Sequence, residues 1–263
     1  MLQAIQRRLS RPPPGWSCVR YKTSWRGGDE QHQSPHNVPH NRPIAPFPLP
    51  KLPNIEWEEP SEQDRRIVEM KHLGHPCGQM IGVGSRCRWN HPQVLVFAPL
   101  TEVMDSDKKV KQIRADHGLF RLSCPMLQRE VKKIERAGSL QKAQERMEND
   151  EKMKAQLEAA HHSVPALRSH LIPQDWVEKL KSANPEDLEA VNLTPKAPMI
   201  LFETGLIGVS LNKAAEVKCF HAHLADYLMR GKVNPIGPLV IEHLADQGVD
   251  VKGTDECWKE CQM

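Results

Sequence analysis

Apolar and polar positions divide this 263-residue chain into a leader with little regular period and a remainder with clear ones. At the start, Leu2, Ile5 and Leu9 share one side of a helical wheel, with Arg7, Arg8 and Arg11 loading the other. From 31 to 60, prolines break every period. That stretch predicts an extended, polyproline-like arm carrying Phe47, Leu49, Leu52, Ile55 and Trp57. Ser61 with Asp64 three residues on marks a helix start, Ile67, Val68 and Leu73 give it an apolar face, and Gly74 ends it. Residues 80–86 and 93–98 predict two strands joined by the turn-rich CRWNHP, and 117–123 a third. Pro125 opens a helix whose inner stripe is Leu127, Val131 and Ile134, with Gly138 as its stop. A second helical pattern spans 139–162, with Asn149-Asp150 as a point of interruption. Residues 100–116 are charged and read as an exposed loop or insertion, 198–203 as a fourth strand, and 211–230 as a third long helix. The expected class is α+β: a small, mainly antiparallel sheet covered on one face by three longer helices, preceded by an extended Pro-rich N-terminal arm.

Composition sharpens the division. Eleven of the 22 prolines fall in the first 60 residues, and no acidic residue precedes Asp29. An Arg-rich, acid-free amphipathic start is the pattern of an organellar transit peptide, mitochondrial in first place and plastid as the alternative. The organisation expected is a targeting segment over 1–30, the arm over 31–60, one globular domain over 61–245 and a tail over 246–263. A net charge of +3 does not imply wholesale neutralisation of nucleic acid. The basic run Lys108, Lys109, Lys111 and Arg114 is diluted by Asp105 and Asp107 and has no aromatic platform beside it. Nucleic acid is therefore expected only indirectly, as in a ribosome. No apolar run approaches the roughly 18–20 residues that cross a bilayer. Seven cysteines, an odd number, do not read as a secreted disulfide framework.

Reactive side chains concentrate between Val217 and Gly237. On a wheel, Cys219, His223, Asp226 and Arg230 form one narrow strip, opposite Val217, Phe220, His221, Leu224, Tyr227 and Leu228. Cys219 and His223, four apart, could supply two metal ligands, with Cys87, His91 and Cys124 as candidates for the rest. The plainer reading makes His221 a core histidine and Cys219 a packing residue. Cys124 stands at the expected N-cap before Pro125, where a helix terminus favours a thiolate; a small buried corner residue is the alternative. Cys257 and Cys261 are also four apart, with no second pair in view. His32, His36 and His40 share that spacing, but Pro35 and Pro39 forbid the helix that would align them.

Several of these residues fall in an ordered set that resembles the bacterial family called domain of unknown function 501. The set is His72-Leu73-Gly74-His75, Arg86-Cys87 with Pro92, Ser123-Cys124-Pro125, and Ala160-His161 with Arg168. It ends with Val217-Lys218-Cys219-Phe220-His221-Ala222, closed by Asn234-Pro235-Ile236-Gly237. The resemblance covers roughly 64–245. It implies that any family site uses Cys87, Cys124, Cys219 and His221, with zinc as the metal if one binds. Departures are Cys87-Arg88-Trp89-Asn90, which lacks a second cysteine, and His223 and Asp226, where an apolar residue and a histidine are expected.

Two functions follow. The first is a non-catalytic accessory subunit of a large mitochondrial assembly (respiratory complex, ATP synthase or mitoribosome) that meets other subunits through its arm and needs no cofactor. The alternative is a thiol/histidine metal-binding protein or enzyme using Cys87, Cys124, Cys219 and His221.

Overall fold

A computed structural model describes residues 41–107 and 109–262. The leader helix, the targeting segment, His32, His36, His40 and Lys108 lie outside the described residues.

The arm is extended, as its prolines predict, and it lies across its own domain. Strand β1 (Asn41–Ile44) pairs antiparallel with β4 (Leu100–Met104), Ile44 facing Leu100. Farther along, Glu58 and Val83 exchange two backbone hydrogen bonds of 3.0 and 2.9 Å. That bridge places the Trp57 ring on Gly82, where a Cβ would stand 2.1 Å from a ring carbon. Helix α1 (Glu62–Ile67) starts with the expected capping box: Ser61 Oγ accepts from the Asp64 amide, and the Asp64 carboxylate accepts from the Ser61 amide. The same carboxylate receives both terminal nitrogens of Arg86, at 2.7 and 2.9 Å. The helix continues as a π-helical turn over Val68–Leu73 and stops at Gly74, whose φ of 71° is left-handed.

The main sheet has the order β2-β3-β6, all antiparallel, from β2 (Met80–Arg86), β3 (Pro92–Phe97) and β6 (Phe120–Leu122). The central strand β3 reads as a continuous apolar run because both of its faces are covered. Val94 and Val96 join the large core, while Leu95 and Phe97 pack with Val68, Cys77, Met80 and Val83 on the other side. The large core is made with α2 (Pro125–Arg136), whose Leu127, Val131 and Ile134 are buried as the stripe predicts. Beyond it lie α3 (Ser139–Glu148) and α4 (Glu151–His162). The expected interruption is real: Asp150 accepts from the Met153 amide at 2.9 Å and restarts the helix. Helix α5 (Val164–His170) follows, then α6 (Gln174–Ser182) and α7 (Pro185–Ala190).

Three expectations are corrected. Residues 100–116 are not a loop; they form β4 and β5 (Val110–Ala115), which with β1 make a second sheet of order β1-β4-β5. Only Ile113 of β5 is buried, so its charged outer face hides the strand alternation. Residues 198–203 are not a strand; Ala197–Phe202 is helix α8, opened by a proline in its first turn. The third long helix does not begin at 211; a short 3-10 turn at Leu211–Lys213 precedes an irregular link, and α9 runs from Phe220 to Arg230. Helix α9 packs across β6, β3 and β2 and against α10 (Gly237–Asp246), which follows the Asn-Pro turn.

Candidate functional site

The irregular link before α9 decides the chemistry at Val217–Gly237. Cys219 is the N-cap of α9, in extended conformation, and its side chain makes no capping bond. The cap comes instead from α2: Glu135 Oε1 accepts from the Phe220 amide at 2.6 Å. The same carboxylate oxygen stands 3.2 Å from His221 Nδ1, and Cys219 Sγ lies 3.7 Å from that nitrogen. The other ring nitrogen, Nε2, donates to the backbone carbonyl of Gln128 at 3.0 Å. A carbonyl therefore fixes the ring and aims Nδ1 at the thiol and the carboxylate.

Burial alone would lower the His221 pKa, but its bonds to Cys219, Glu135 and the Gln128 carbonyl outweigh burial and raise it to about 10. Burial likewise works to raise Glu135, and its contacts with His221 and the Phe220 amide bring it below the usual carboxylate range. In the metal-free chain at neutral pH the ring is thus an imidazolium held by a carboxylate.

Ligand atoms of Glu135, Cys219 and His221 all lie within 4.8 Å of one another, the single group of three such residues among those described. Sulfur, nitrogen and oxygen at that separation suit zinc, with bonds of about 2.0–2.3 Å. A ligating histidine held through its second nitrogen by a carbonyl is the usual outer-shell arrangement. Of the four residues the resemblance singled out, Cys219 and His221 meet here. Cys87 and Cys124 do not: Cys124 caps α2 at its start and Glu135 lies in its last turn, about 16 Å along the axis at 1.5 Å per residue. Cys124 also reverses the thiolate expectation, because burial pushes its thiol up to about 11. Glu135 was missed in the sequence, since nothing local links it to a helix 85 positions later.

The strip predicted on the wheel exists without Cys219. His223 and Asp226 are buried, Arg230 is half-buried, and Arg230 reaches both oxygens of Asp226 at 2.7 and 2.8 Å. Asn234 Nδ2 donates to Asp226 and to His223 Nδ1, at 2.8 and 3.2 Å, while its Oδ1 accepts from the Ile236 and Gly237 amides. His223, not His221, is the fully buried histidine of this helix. It faces His161 edge-on with ring centroids 5.8 Å apart, and the Nε2 atoms of both rings are buried without a hydrogen-bond partner.

A family model described as a protein of unknown function (DUF501) matches residues 83–242, inside the span of the sequence resemblance. No curated protein and no solved structure matches.

Proposed function

The chain belongs to that family of unknown function, and from this premise we propose that it binds a zinc-class divalent ion through Glu135, Cys219 and His221. The supporting observation is the convergence of three ligand atoms within 4.8 Å around a histidine oriented by the Gln128 carbonyl. Three protein ligands leave one position of a tetrahedral ion open to water or substrate. Binding displaces the proton from His221 Nδ1 and any proton on Cys219 Sγ, so affinity rises with pH. Calorimetric titration of the purified chain with Zn²⁺ tests this. Loss of one binding event in both His221→Ala and Glu135→Gln supports the reading; wild-type isotherms in both refute it.

A second reading is the accessory subunit of a mitochondrial assembly, with a plastid location as the alternative. It is favoured by the acid-free, Arg-rich start and by Phe47, which stands 65 % exposed on the extended arm. Native-gel migration of the endogenous protein decides it: a small monomeric species sinks the proposal. The two readings are compatible, since a structural ion can sit in a subunit.

A further inference from the structure

The tail beyond α10 is fastened to the domain. Gln93 Nε2 donates to the Val251 carbonyl at 2.7 Å, and the Trp89 indole donates to the Thr254 carbonyl at 3.0 Å. Arg129 forks onto both oxygens of Glu260 at 2.8 and 3.0 Å. These contacts hold a 3-10 turn, Cys257–Glu260, against α2, with the Trp258 ring 6.3 Å from that of Trp89 in the β2–β3 turn. The turn buries Cys257, and Cys261 directly after it is buried as well.

The partner pair absent from the sequence pattern is there. Cys257 Sγ and Cys87 Cβ both lie within 4 Å of one point, the place a Cβ on Gly253 would occupy. Cys261 Sγ lies 3.3 Å from His72 Nε2, and His72 Nδ1 lies 3.3 Å from Ser123 Oγ, the residue before Cys124. Cys87, Cys124 and Cys257 are all near enough to Cys261 for their charges to act on it. The four thiols come from three separate places: the β2–β3 turn, the β6–α2 corner and the tail.

We propose that Cys87, Cys124, Cys257 and Cys261 form a thiolate site for a zinc-class ion, with His72 hydrogen-bonded to it through Cys261. This site is separate from the one at Glu135, Cys219 and His221 and does not depend on it. Four cysteines of this kind are the donor set of a closed structural zinc site. Without an ion the set works against itself. Burial disfavours ionisation of Cys124 and Cys261, and the neighbouring thiols act in the same direction. A divalent cation turns that mutual repulsion into attraction and sends the thiol protons to solvent. The His72 ring bridges Cys261 and Ser123. Ser123 Oγ can donate to or accept from Nδ1, so the ring can turn an N–H toward a Cys261 thiolate. No three of these sulfurs lie within 4.8 Å of one another, whereas bound ligands have S···S separations of about 3.8 Å for Zn–S bonds of about 2.3 Å. A change of cysteine rotamer moves a sulfur by about 3 Å, so closure asks for side-chain rotation first.

The test is cobalt and zinc binding by the full chain, purified under reducing conditions. Co²⁺ should give the intense near-ultraviolet thiolate charge-transfer absorption. Most of that absorption should persist in the double variant Cys219→Ala/His221→Ala, and in Cys257→Ser/Cys261→Ser it should fall to no more than the contribution of the single Cys219 thiolate. Absorption unchanged by the tail substitutions overturns the proposal, whatever becomes of the Glu135 site. If the tail variant fails to fold, alkylation of the wild-type chain followed by peptide mass spectrometry decides. Zn²⁺ should slow modification of Cys87, Cys124, Cys257 and Cys261 together while leaving Cys77 unchanged. Equal rates with and without Zn²⁺, or a disulfide joining any two of the four in the reduced preparation, refute it.

Discussion

Arg168 on α5 has no exposed surface, yet no carboxylate touches it. Its guanidinium instead collects backbone carbonyls. Two bonds of 2.7 and 3.1 Å reach His117, two of 2.6 Å reach Thr204 and Gly205, and longer ones reach Ile200 and Leu201 near the end of α8. Burial pulls its pKa down to about 10, with Asp116 opposing, so the charge persists at neutral pH. Replacing it by Met keeps much of the volume and removes every donor. Three carbonyls at short range then lose a donor, each costing about 1–3 kcal/mol. The desolvation of a buried cation is recovered, which offsets several kcal/mol. A loss of roughly 3–9 kcal/mol against a recovery of several leaves a net destabilisation of about 2–5 kcal/mol for Arg168→Met, a large share of the roughly 5–15 kcal/mol that holds a domain together. Arg168→Lys should fall between, since an ammonium has three donors and no fork. Urea unfolding at pH 7, followed by circular dichroism, measures both. A Met variant within about 1 kcal/mol of the parent would refute the role assigned to the carbonyl cage.

Other expectations are as direct. Burial first, and His223 next, lowers His161 to about 3, so the folded chain holds it neutral while the unfolded chain protonates it near 6.5. Its contribution is fully present above pH 6.5 and lost as pH falls toward 3, up to about 2 kcal/mol between pH 6.5 and 5. His161→Gln should therefore flatten the acid limb of a stability–pH curve, and parallel curves would discount this histidine. Gly82→Ala should force Trp57 off the sheet at an overpacking cost of about 1–3 kcal/mol, read as a shift in tryptophan emission together with a lower unfolding midpoint. Asp64→Asn should cost more than a surface pair does, because Asp64 both caps α1 and receives Arg86. Its carboxyl is held at about 2, with burial working to raise it and Arg86 and Ser61 prevailing, so the wild type alone should lose this contribution as pH falls from 4 toward 2.

The elements legible in the sequence are those whose local signals agree with their surroundings. Strands β2 and β3, the Pro125 helix and the break at Asn149-Asp150 carry their causes in adjacent residues. Strands β4 and β5 were hidden because a partner 60 positions away completes their sheet and the residues facing solvent are charged. The apolar run at 197–202 is too short for periodicity to separate helix from strand, and Pro198 was the only local hint. At the site, Cys219 and His221 were visible as residue types, whereas Glu135 belongs to another helix and enters only through packing. The wheel misplaced Cys219 because it assumed a helix two turns longer than the one that forms. The cluster in the tail was invisible for the same reason as Glu135: its halves lie some 130 to 170 positions apart.

Strand β1 sets a limit on how far this chain can be trimmed. It lies on the free edge of β4 and contributes Ile44 to the second core. A cut before Asn41 keeps all three strands of the second sheet. A cut after Ile44 removes one strand of three, and the β4–β5 hairpin that remains is marginal in water with its edge open to any extended chain nearby. The position of any cut relative to β1 thus separates a three-stranded sheet from a hairpin prone to self-association.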